Sequence, residues 1–151
     1  MTNIISVGCK IAEVHHKYSA IHDAMFGAAS YRLVIATMTG RSDRIYCRSV
    51  QNLEQLQVRL AELSAEIPLA DVGAAAYQAE QLRIPMLDYV DALNDAITAL
   101  REMYTHLFQD EYANRAIPEG GHYAFNQYKI IYDKLLLRLE QQGSGLNKLF
   151  S

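Results

Sequence analysis

Between Met86 and Leu107 the apolar residues fall at Met86, Val90, Leu93, Ile97, Leu100, Tyr104 and Leu107, so the intervals alternate four and three without a break. Only a helix brings positions so spaced onto one side, and a seam of this length has to be covered by other helices. The same rhythm returns at Ile4, Val7, Ile11, Val14, Tyr18, Ile21 and Met25, and again at Leu53, Leu56, Leu60, Leu63 and Ile67. A fourth face carries Phe125, Tyr128, Tyr132, Leu135 and Leu139, and Ile130, Ile131, Leu136 and Leu137 widen it beyond a stripe. The pattern predicts an all-α protein. We expect an antiparallel helical bundle of four main heptad-patterned helices with one or two extra short helices.

Turn chemistry sets the expected boundaries. The first helix spans about 3–26 and is interrupted at Gly27. Over 28–49, Tyr31, Val34, Ile35 and Met38 keep helical spacing with Gly40 as a stop, while Thr39 to Asp43 could instead turn into a hairpin strand at Arg44 to Arg48. Helix is the favoured choice, because an isolated hairpin is marginal. Ser42 or Ser49 caps the next helix, which Pro68 closes, and Asp71 caps an alanine-rich segment from Val72 to Arg83. Pro85 either starts the main helix or kinks one long helix, and the drift in apolar phase across it predicts a change of direction. The main helix runs to about Asn114, Ile117 to Gly121 breaks the chain, and the last helix covers about 122–142. Gly143-Ser144-Gly145 ends that helix, leaving 143–151 as a short tail on a single domain, 1–151.

Half of the residues are hydrophobic and 21% charged, an ordinary globular composition. No apolar run approaches the ~18 residues of a membrane span, and no secretory leader is expected at the N-terminus. Cys9 and Cys47 form no CxxC and are expected as reduced, packed thiols of a cytoplasmic protein, with a single bridge as the alternative. The net charge of −3 is uneven: residues 71–112 hold eight acids against Arg83 and Arg101. Such a balance argues against nucleic-acid binding, which wants a basic face.

Several short constellations carry candidate chemistry. Glu13/His16 and Glu119/His122 share the Glu-x-x-His spacing of di-metal bundle proteins, but heptad register puts Glu13 and His16 on the outer face. His15 and His22 share one helix edge, which suits a transition metal or a pH-sensitive contact. His22-Asp23 resembles the paired residues of HD-type hydrolases, without the remaining ligands of that pattern. Asp88, Asp91, Asp95 and Glu102 form a row behind the main seam, similar to the acidic helices of all-α nucleotide pyrophosphatases but lacking a convincing second acidic helix. Arg101 and His106 match the Arg-x4-His spacing of HEPN-type ribonucleases. That resemblance covers six residues and implies a transition-state clamp and an acid/base pair at a dimer cleft.

Tyrosine is abundant, ten residues against four Phe and no Trp, and amphipathic rings at the margin of an apolar face are typical of protein interfaces. The expected function is therefore a non-enzymatic interaction module, an adaptor, chaperone or assembly subunit acting as a homodimer on another protein. It needs no cofactor. Its docking residues are expected on Tyr128, Ile131, Tyr132 and Leu136 and along Asp88, Asp91 and Asp95. A HEPN-like ribonuclease using Arg101 and His106 is the alternative, and a metal-binding bundle using Glu13 and His16 a weaker one.

Overall fold

A computed structural model describes residues 3–26, 42–70, 76–113 and 119–150 of the chain. Four helices pack against one another: α1 (Ile4–Phe26), α2 (Ser42–Glu66), α3 (Ala76–Ala113) and α4 (Glu119–Phe150). A single 3-10 turn, Ile67–Leu69, follows α2, with Pro68 near its start. No strand occurs among the described residues, so the fold is all-α as expected.

The heptad seams explain the packing. Ile4, Val7, Ile11, Val14 and Tyr18 of α1 are buried, as are Leu53, Leu56, Leu60 and Leu63 of α2. In α3 all six described seam positions from Met86 to Tyr104 are buried. So are Tyr89, Ala92, Ala96, Ala99 and Met103 beside them, because α3 touches each of the other three helices. Each buried Leu, Ile or Val contributes about 1.5–3 kcal/mol before chain entropy is subtracted. Among the described side chains of α4 the buried ones thin to Tyr132, Leu139 and Leu146. Its widened face stays largely outside, with Ile130 52%, Ile131 54% and Leu137 57% exposed.

Polar links fix the neighbours. At the start of α1, Asn3 accepts the Ile5 N–H on its side-chain oxygen at 3.0 Å, satisfying an otherwise orphaned donor. Arg83 Nη2 donates to the Ala70 carbonyl at 2.9 Å, tying the 3-10 turn to α3. Between α3 and α4, Arg138 pairs with Asp95 at 2.7 Å and Tyr89 lies beside Gly143. These links ascend α3 as they descend α4, the order expected of neighbours running in opposite directions.

Some expected boundaries are corrected. The helix starting at Ser42 removes the strand proposed for Arg44 to Arg48, whereas 27–41 lie outside the described residues. Pro85 neither begins nor ends an element; α3 continues through it from Ala76. Likewise α4 does not stop at Gly143-Ser144-Gly145 but reaches Phe150, because burial of Leu146 against the core outweighs the weak helix preference of two glycines. Cys9 and Cys47 are free and exposed, not packed. Among the described residues no helix is long and apolar enough to cross a membrane.

Candidate functional site

Helices α1 and α4 both lean on α3, yet they barely approach each other. Small residues on the facing edges, Gly8, Ala12 and Ser19 of α1 and Gly143 and Ser144 of α4, leave the space between them unfilled. The result is a groove of about 1050 Å³. Tyr89 of α3 and Ile11 of α1 contribute apolar surface, joined by Leu136, Leu139 and Leu146 of α4. Gly143 sits close against the ring there: a Cβ would stand 3.2 Å from Tyr89 Cε2, so a larger residue would press on it.

An aromatic and imidazole cluster borders the groove. Tyr18 and Tyr132 hydrogen-bond through their hydroxyls, and His22 Nδ1 lies 2.8 Å from the Tyr132 hydroxyl. This chain joins α1 to α4. Close by, Tyr104 donates to the Ile21 carbonyl at 3.0 Å, binding α3 to the same stretch of α1. His15 completes the set, with ring centroids 6.1 Å from both Tyr18 and Tyr89, meeting the latter edge-on at 68°.

Burial dominates the electrostatics of these groups. It pushes the phenols of Tyr18, Tyr89 and Tyr104 up to about 12, and at Tyr18 the Tyr132 hydrogen bond partly offsets the rise. Tyr132 is raised further, first by burial and then by the neighbouring Tyr18. Both histidines fall below their ordinary value: His15 through burial and then its neighbour His16, His22 through burial that Asp23 and Asp133 oppose. At neutral pH the cluster is therefore an uncharged array of hydrogen-bond donors and acceptors.

The residues singled out in the sequence are dispersed. Tyr132 is 0% exposed and belongs to the interior rather than to a docking face. Tyr128 is half-buried against the core, Leu136 lines the groove, and Ile131 is exposed on α4. Asp88, Asp91 and Asp95 are all exposed, but Asp95 is engaged by Arg138 and so faces α4 instead of open solvent alone. Arg101 donates to Gln57 Oε1 at 2.8 Å, and Gln57 in turn donates to Thr98 at 2.7 Å and Asn94 at 3.3 Å. A clamp on an RNA phosphate would have to break this α2–α3 link. The side chains of His106, Glu119 and His122 lie outside the described residues.

Glu13 and His16 are exposed, and Glu13 pairs with Lys17 at 3.6 Å. Among the described residues no three His, Cys, Asp or Glu side chains gather closely enough to hold a metal ion. His15 and His22 do share one edge of α1, and both line the groove. Sequence reasoning places Tyr89 only among the tyrosines at the edge of an apolar face, and it misses Gly143 as part of a site. Gly143 carried a signal, a glycine that interrupts a helix only in pattern, but the ring it accommodates is 54 residues away in the chain. Comparison with protein-family models, with characterised proteins and with solved structures finds no match for this chain.

Proposed function

We propose that this protein is a non-enzymatic interaction module that seats a helical segment of a partner protein in the groove between α1 and α4. The groove's dimensions carry the reading. From Ile5 to Asp23 its α1 wall runs about 27 Å at 1.5 Å per residue, about five turns of helix. A partner helix of that length, apolar side down, would cover the Ile11, Leu136, Leu139 and Leu146 surface that α1 and α4 leave between them. Self-association belongs to the same proposal, supported by Ile130, Ile131 and Leu137 standing exposed on the outer face of α4. A cytoplasmic setting is supported by two free, exposed cysteines.

Photo-crosslinking residues at Ser19 and Ser144 test the groove, with one at the exposed Val58 of α2 as control. The groove positions are expected to trap a protein in cells of origin and Val58 is not. Equal capture at all three, or none, would overturn the assignment. Light scattering at micromolar concentration is expected to show a dimer that Ile131→Lys reduces to a monomer.

A further inference from the structure

Of the four rings that line the groove, His15, Tyr18, His22 and Tyr89, two have no hydrogen-bond partner among the described residues. Tyr89 is only 8% exposed and lines the groove, yet its hydroxyl makes no hydrogen bond there. His15 lies half-buried beside it, engaged only through ring contacts with Tyr18 and Tyr89. The rest of the Tyr/His cluster is different, since Tyr18, Tyr132 and His22 satisfy one another. Water can serve Tyr89 and His15 while the groove is open. A purely apolar helix laid over them would seal both without partners, an arrangement that native interfaces avoid.

The occupant therefore needs a polar side chain at the level of His15, and the groove's charges restrict which kind. Asp23 and Glu140 line the same groove, with Lys148 the single cation among its lining residues, so a carboxylate there would meet an excess of like charge. A neutral amide meets both conditions. Its carbonyl oxygen accepts from the Tyr89 hydroxyl or a His15 N–H, and its NH₂ donates to the unprotonated His15 nitrogen or to Glu140. We infer that the groove selects a partner helix whose apolar stripe carries a single Asn or Gln, met by Tyr89 and His15. One polar residue in an apolar seam fixes register and rejects partners that cannot match it. This inference rests on the helix-in-groove function proposed above.

The test uses the full chain and three dye-labelled amphipathic helical peptides of about 18 residues, the length that spans the α1 wall. They are identical except for Gln, Leu or Glu at the middle of the apolar stripe, and binding is followed by fluorescence anisotropy at neutral pH. The Gln peptide is expected to bind roughly five- to tenfold more tightly than the Leu peptide, with Glu the weakest. Tyr89→Phe is expected to erase the Gln–Leu difference while the Leu peptide still binds. Should that variant melt early, His15→Phe provides the second measurement, with a reduced Gln preference expected. Equal binding of the Gln and Leu peptides, or a preference that survives both substitutions, would overturn the amide inference and leave the groove function standing. If none of the three peptides binds, the groove function itself fails.

Discussion

Tyr132 does more than fill space. Its hydroxyl meets both Tyr18 and His22, so Tyr132→Phe is expected to cost about 1–3 kcal/mol by leaving buried partners unsatisfied. Tyr18→Phe removes one of the same bonds. The double variant should therefore cost clearly less than the two single losses combined, as urea denaturation would show. The phenols also predict an alkaline limit. Unfolded tyrosines ionise near 10.0, whereas Tyr18, Tyr89 and Tyr104 hold their protons to about 12. Their contribution to stability is complete below pH 10 and is lost as pH rises toward 12, so phenolate absorbance should grow together with unfolding. The histidines act at the other end. With His15 and His22 lowered from 6.5, the unfolded chain takes up protons first, and the melting temperature should fall as pH drops below 6.5. His15→Gln should flatten that decline.

Helix α4 shows where local preference loses to packing. Two glycines in its last turns weaken it, but they are not equivalent. A Cβ at Gly145 meets nothing within 4 Å, so Gly145→Ala is expected to stabilise the protein by about 0.5–1 kcal/mol in thermal or chemical denaturation. At Gly143 the same gain is opposed by the 3.2 Å approach to Tyr89, and Gly143→Ala should fall short of Gly145→Ala. The heptad spacing made the cores of α1, α2 and α3 legible, since every described seam position from Met86 to Tyr104 is buried. Element ends were less legible. Gly143-Ser144-Gly145 has the chemistry of a stop, and only the burial of Leu146 against distant residues shows that it is not one. The continuity of α3 through Pro85 is the same lesson: periodicity locates a face but does not say what the neighbouring helices tolerate.

At the scale of the bundle, the four seams indicated how many helices pack but not that α4 meets the others mainly through α3. Two amphipathic helices each know their own apolar side; that α1 and α4 share α3 without closing on each other follows from three-dimensional arrangement. The widened face of α4 was visible in the sequence and its exposure was not, because nothing local says whether Ile130 or Leu137 meets a neighbour. The gap between α1 and α4 also gives the molecule uneven cohesion. Near its Tyr132 end α1 is clasped by Tyr18 and His22, while toward Ile5 it has the open groove at its side. Amide hydrogens around Gly8 to Ala12 should accordingly trade with deuterium sooner than those of Ala92 to Leu100, whose helix packs against all three of the others. A guest lying in the cleft would slow that trade first at the N-terminal turns of α1, so occupancy would be heard as a quieting of the loosest part of the molecule.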